Sequence, residues 1–310
     1  MSDYQFVRPE DIEEYRRFCL HHARSFGRPL PEEIWHYTDA NGLIGILQTG
    51  RIWATQVSCL NDTLEQRYFG ELVHQAVKER RKQSIDARVE PLFRVADETL
   101  DNLDFTSAGQ FVVCFSEAED DLGQWRGYGG GECGYAIGFR SQVVLDAINL
   151  RPNALLLPMG YADDIHSFIV ADVIRWAEIY FRQGLDRGLS DPVAWATEFV
   201  AAFGDALTLI AATVKHPKFS GERERRIAAF LQEGEHGQMI FRQKRTLLAR
   251  HLPLSLTVDV EGAQKLPVTR IYVGPGPAQK ASKISVGDLL LQQSYKDVPV
   301  EISKIPYRVP

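Results

Sequence analysis

What this sequence lacks narrows its chemistry first. Four cysteines occur among 310 residues, Cys19, Cys59, Cys114 and Cys133, and no two of them form a C-x-x-C pair. Neither a zinc site nor a disulfide framework is therefore indicated. No run of about 18 apolar residues is evident to span a bilayer. The start, MSDYQFVRPEDIEEYRRF, is acidic and lacks the basic-then-apolar pattern of a secretory signal. The expectation is a soluble, cytoplasmic protein with no membrane partner. The formal charge is −6 and Lys and Arg are dispersed, so no basic face points to broad nucleic-acid binding. A G-x-x-x-x-G-K-[ST] phosphate loop is missing. The glycines from Gly127 to Gly134 follow a helix pattern rather than a strand. Gly274-Pro275-Gly276-Pro277 has lost the amide donors that a phosphate cradle needs. A P-loop or Rossmann site is not indicated.

What is present reads as a globular α+β chain, 45% hydrophobic and 25% charged. Residues 9–24 carry Tyr15, Phe18 and Cys19 at helical spacing. Residues 34–38 form a short strand, and Asp39 caps a helix ended by Gly50. Residues 51–57 alternate as a strand. A charged helix is predicted over about 64–89, with Lys78 to Lys82 on its solvated face, and a second over 92–103. Residues 111–116 are nearly all apolar and so predict a strand central in a sheet. A short helix at 123–128 and a strand at 134–140 follow, then helices near 163–183 and 191–214. Strands are predicted at 225–231, 255–260, 268–273 and 299–305, with a helix at 285–292. The elements alternate irregularly, which favours α+β over a doubly wound sheet.

Several residues can carry chemistry, and each has a plainer reading beside it. His36-Tyr37-Thr38 ends a strand, where the imidazole can make one directed hydrogen bond near neutral pH or be satisfied by backbone. Asn61, Asp62 and Thr63 can cap a helix, with Glu65 in its first turn. Cys114 reads as core, whereas Ser116 and Glu117 stand at a strand end, where sites form. Trp125 and Tyr128 share a helix face, as core or as walls that stack a flat ring. Period 2 puts Glu222, Glu224 and Arg226 on one strand face, with Arg223 and Arg225 on the other. Arg226 is then the natural cation between the carboxylates. The set is either a charged strand edge or an acidic site able to stabilise positive charge on a sugar carbon.

The order of these segments is familiar: HYT, GRIWAT, NDTLE, VVCFSE with W..Y, F..ERER and a terminal SKIPYR. It resembles an uncharacterised bacterial family, domain-of-unknown-function family 2971, from about residue 34 to the C-terminus. The resemblance implies an ADP-ribosyltransferase-like mixed sheet core over 34–310, with helical insertions near 63–104 and 162–215 and an N-terminal helical extension over 1–33. It further implies NAD as co-substrate and no metal. His36 would hold the adenosine ribose, and Tyr37, Thr55 and Ser116 would line the nicotinamide pocket. Thr38, Asn61, Trp125 and Tyr128 complete the expected NAD-binding set. Glu224 would bond the nicotinamide ribose 2′-hydroxyl, and Glu222 would orient the acceptor as in an E-x-E arrangement. The activity so implied is ADP-ribosyl transfer to an unidentified macromolecule, protein or nucleic acid, in a toxin or phage-defence setting. No S-T-S motif is evident. The alternative is a non-catalytic nucleotide- or partner-binding module on the same fold.

Overall fold

The structure, a computed structural model, describes residues 8–24, 28–60, 63–100, 109–129, 133–151, 153–231, 234–244, 247–260 and 263–306. Asn61, Asp62, Gly130, Gly131, Tyr307, Arg308 and residues 101–103 lie outside that set, as do the side chains of Thr63 and Glu65. In chain order the elements are α1 (Pro9–Arg24), β1 (Glu33–Thr38), α2 (Ala40–Thr49), β2 (Ile52–Gln56), α3 (Thr63–Gln83), α4 (Glu90–Leu100), β3 (Gln110–Ser116), α5 (Leu122–Tyr128), β4 (Tyr135–Arg140), α6 (Ser141–Asn149) and β5 (Ala154–Pro158). Then come α7 (Asp163–Asp186), α8 (Pro192–Ala211), β6 (Glu224–Phe230), β7 (Ile240–Lys244), β8 (Leu247–Leu254), β9 (Val258–Val260), β10 (Ala263–Lys265), β11 (Val268–Val273), α9 (Gln279–Gln292) and β12 (Val300–Ile302).

The chain divides into two compact units: residues 1–27, 61–107 and 158–218 form one, and 28–60, 108–157 and 219–310 the other. The first is helical. Its helices α1, α3, α4, α7 and α8 bury Tyr15, Phe69, Phe93, Phe181, Trp195 and Phe199, each such side chain contributing about 1.5–3 kcal/mol. Among the described residues α8 is the one helix long and apolar enough to cross a membrane, where the sequence reading found none. Here its Trp195, Phe199, Leu209 and Ile210 are buried. Two expectations change in this unit. The charged helix stops at Gln83, because Asp86 accepts from the Arg88 backbone N–H (3.1 Å) and opens a separate 3₁₀ turn at Ala87–Val89. Arg80 also leaves the solvated face and pairs with the buried Glu178.

The second unit is built on a ten-stranded mixed sheet, in the order β12-β11-β4-β1-β3-β2-β8-β7, with β6 also pairing β3 and β5 pairing β6. The apolar run of β3 is central as expected, flanked by β6 on one edge and by β1 and β2 on the other. The β1–β2 connection follows its local signals. Asp39 Oδ1 accepts from Gly42 N at 2.7 Å, and Gly50 ends the helix at φ 60°, a left-handed conformation that glycine adopts without a side-chain clash. The main core gathers Ile34, Leu43, Ile46, Phe111, Phe115, Ile137, Phe139, Ile227 and Leu252. A smaller cluster of Trp35, Tyr37, Trp125, Ala136 and Tyr272 lies apart from it. The expected strand at 255–260 shortens to Val258–Val260, and the hairpin β7–β8 takes the preceding segment.

A helical glycine offers a test of the packing in the first unit. Gly204 lies within α8, and a Cβ built there meets no heavy atom within 4 Å. Replacing it with alanine removes glycine's backbone-entropy penalty at no steric cost. Gly204→Ala is expected to stabilise the protein by about 1 kcal/mol, read as a raised thermal midpoint. A lowered midpoint would show that the site is already filled.

Candidate functional site

The sheet is nearly divided between β1 and β3. β1 pairs with β4 over six residue pairs but with β3 at one, Trp35 opposite Ser116. Further along the same edge of β3, Val112 and Phe111 pair instead with Thr55 and Gln56 of β2. β1 therefore parts from β3 just after Trp35, and the sheet forks. His36 stands in the fork. Its Nδ1 lies 3.0 Å from the carbonyl oxygen of Cys114, a group that a continued ladder would have given to a backbone N–H. A carbonyl only accepts, so Nδ1 carries the proton and donates. In the neutral ring Nε2 is then left as an acceptor. Burial lowers the His36 pKa from its ordinary 6.5, with the bond to Cys114 pulling the other way.

The faces of the sheet sort the remaining residues. Trp35, Ser116 and Glu224 fall in one row across β1, β3 and β6. Strand alternation puts Tyr37, Cys114 and Arg226 on that same face. Thr55 and its partner His251 also share it, through the pairing of Thr55 with Val112. His36 is adjacent to Trp35 and sits toward the opposite side, its ring 5.9 Å from that of Phe115. The imidazole at 36 and the carboxylate at 224 are thus not on a common face. The parting of β1 from β3 lies beside them.

Glu224 is 3% exposed and Arg226 is 5% exposed. The two form a two-pronged ion pair on one face of β6, Nε to Oε1 at 2.5 Å and Nη2 to Oε2 at 3.2 Å. Arg226 thus occupies the position that period 2 gave it, but Glu222 does not. It ends a 3₁₀ turn at Pro217–Glu222, and Arg223 then takes φ 43°. That left-handed residue breaks the alternation, so β6 starts at Glu224. Glu222 instead offers its backbone carbonyl to Ser116 Oγ at 2.8 Å, and Ser116 Oγ accepts from Ala118 N at 3.1 Å. Arg225 faces away from the pair, donating to Glu117 Oε1 (2.7 Å) and to the carbonyls of Arg28 (2.8 Å) and Pro29 (2.5 Å).

The other expected site residues serve the second cluster or the local turns. Tyr37 is buried; its hydroxyl donates to Ala118 O at 2.8 Å and accepts from Asp121 N at 3.2 Å. Its ring packs 4.7 Å from that of Trp125. Trp125 is core, with Nε1 donating to Asp120 Oδ1 at 2.7 Å, whereas Tyr128 on the same short helix is 41% exposed. Asp120 also accepts from Ser303 Oγ (2.7 Å) and Lys304 N (3.1 Å). That explains the SKIP segment, which straps the last described residues to the turn after β3. Thr38 packs its Oγ1 against Gly42, where any added side chain would collide. Thr55 Oγ1 lies 3.2 Å from His251 Nδ1. The contributions of His251 and Asp120 were not legible in sequence, since neither sits in a spaced motif. Among the described residues no group of three or more His, Cys, Asp or Glu gathers as a metal site.

Comparison with known proteins adds one family. A family model described as "Protein of unknown function (DUF2971)" matches residues 124–227, a stretch that includes Trp125, Glu222 and Glu224. The match supports the resemblance over that segment. No curated protein and no solved structure matches the chain, so the ADP-ribosyltransferase-like assignment has no structural neighbour behind it.

Two predictions follow from this geometry. His36 has a folded pKa below its unfolded value, so the unfolded chain takes up the proton first as pH falls. The stability due to neutral His36 is full above about pH 6.5 and declines below it, down to the folded pKa. His36→Gln is expected to flatten that decline in denaturant unfolding measured across the window. An unchanged slope would show that the ring charges freely in place. Asp120→Ala should cost about 1–3 kcal/mol by orphaning the Trp125 and Ser303 donors. A cost within a few tenths would show that the strap is not held by this carboxylate.

Proposed function

We propose that the chain binds NAD at the sheet fork and transfers ADP-ribose to a macromolecular acceptor. The observation that carries this reading is the fixed tautomer of His36. Its Nδ1 proton is committed to Cys114 O, so Nε2 presents a lone pair suited to a ribose hydroxyl. A ligand lying in the fork could reach both this nitrogen and the polar face bearing Ser116 and Glu224. In the reaction, the bond between ribose C1′ and the nicotinamide nitrogen breaks, and its electron pair leaves with nicotinamide as a neutral molecule. Positive charge grows on the ribose. The acceptor's lone pair forms the new bond to C1′ and the acceptor releases a proton. A buried carboxylate beside the 2′-hydroxyl favours the charged transition state over the ground state. Glu224 is assigned that role, and Glu222, at the mouth of β6, the handling of the acceptor proton. Thr55 would lie on the same face.

One observation favours a second reading, that of a non-catalytic nucleotide- or partner-binding module. Glu224 is already engaged on both oxygens by Arg226, and an acid so engaged can be structural. The two readings separate in one assay. Wild type and Glu224→Gln are incubated with NAD labelled in the nicotinamide ring, and release is followed alongside thermal stability. Transfer predicts release by the wild type and a loss of about 100-fold or more in the variant. A raised melting point with no release supports binding alone. Equal release by both proteins removes Glu224 from the chemistry.

A further inference from the structure

The helical unit contains a cavity of about 60 Å³. All five of its helices contribute to the lining. Tyr15 of α1, Val73 of α3, Phe93 of α4, Ile174 of α7 and Phe199 of α8 supply buried walls. The half-buried part of the lining comes chiefly from α4 and α8: Ala96 and Leu100 on the first, Val200, Gly204 and Leu207 on the second. Their spacings, i, i+4 and i, i+4, i+7, put each set on one helix face. At Gly204 that face of α8 carries no side chain, and a Cβ built there meets no heavy atom within 4 Å. The void therefore reaches α8 at a position that the sequence leaves bare. We propose that this cavity is a binding site for the end of a saturated hydrocarbon chain.

The lining selects the chemistry of the ligand. Among the described residues it contains two hydroxyls, and both are turned to backbone. Tyr15 donates to Val173 O at 3.2 Å, and Thr99 Oγ1 donates to Val95 O at 2.7 Å. The other side chains on the wall are hydrocarbon. Water needs two or more polar partners to stay in such a space, so an apolar cavity remains dry. An empty one forfeits the packing contacts of its lining, and an apolar guest restores them. Size narrows the choice further. A dry cavity of about 150 Å³ takes up benzene, and this one has less than half that volume. A straight chain is slimmer than a ring and enters end first, with its polar head left outside the apolar lining.

The test is titration calorimetry of the full-length protein with hexanol, octanol and decanol, and with cyclohexanol as the ring control. Wild type is compared with Ala177→Leu and Ala96→Val, two variants that fill the cavity from α7 and from α4. The site predicts saturable binding, with affinity rising about fourfold for each added methylene until the space is full. Cyclohexanol binds more weakly than hexanol. Ala177→Leu lowers the affinity for octanol by about tenfold, the equivalent of roughly two lost methylenes, and Ala96→Val lowers it by less. Should Ala177→Leu fail to fold, Ala96→Val decides by the direction of its change. Three results overturn the proposal: no saturable binding by any of the straight-chain alcohols, cyclohexanol bound as tightly as hexanol, or unchanged octanol affinity in the folded variants, which would place the chain elsewhere on the protein.

Discussion

The single backbone pairing between Trp35 and Ser116 is the constraint on which the second unit's chemistry turns. A complete ladder there would close the sheet, satisfy Cys114 O with a backbone donor and leave His36 nothing to do. Ending the ladder after one pair obliges a side chain to take over that carbonyl, since a buried unpaired acceptor costs about 1–3 kcal/mol. His36 takes it, and in doing so fixes its own tautomer. The same parting of the strands lets β2 claim the other end of β3, so β3 belongs to both halves. One missing stretch of ladder thus sets sheet topology and imidazole orientation together.

The two faces of the sheet at this point differ in character. On the His36 side lies the main apolar core, where Phe115 and Phe139 stack edge to face at 5.8 Å. On the other side polar groups fall in three successive rows: His251 with Thr55, then Cys114 with Arg226, then Ser116 with Glu224. A sheet face of this kind would be costly if its groups were left unpaired. Thr55 and His251, Ser116, and Glu224 and Arg226 are instead bonded to one another or to backbone. Arg225, pointing the opposite way from Arg226, ties β6 to Glu117 and to the carbonyls of residues 28 and 29. Two neighbouring arginines therefore do separate work: one holds the strand in place and the other holds an acid.

Much of this fold was legible because local signals and tertiary demands agreed. The Asp39 cap, the Gly50 terminus and the apolar run of β3 each have one good solution. Where they disagreed, sequence failed. The hairpin β7–β8 was missed because Phe241, Leu247 and Leu248 are exposed, so apolar residues do not mark its buried face. Arg223 carries a left-handed φ without being glycine or asparagine, so nothing in GERER announced that alternation begins one residue later. The Glu224–Arg226 pair was visible as a spacing. The fork was not, because the absence of pairing between two strands leaves no mark in either. Trp125 and Tyr128 looked equivalent by helical spacing, yet only the first is buried, since Asp120 lies within reach of its indole.

The central claim is that the parting of β1 from β3 is a dinucleotide site. It is tested most directly by determining the structure with NAD present. The account predicts the dinucleotide in the fork, with His36 Nε2 within hydrogen-bonding distance of a ribose hydroxyl and the Glu224 carboxylate facing the nicotinamide ribose. NAD bound elsewhere on the chain, or a fork left empty at saturating NAD, would contradict it.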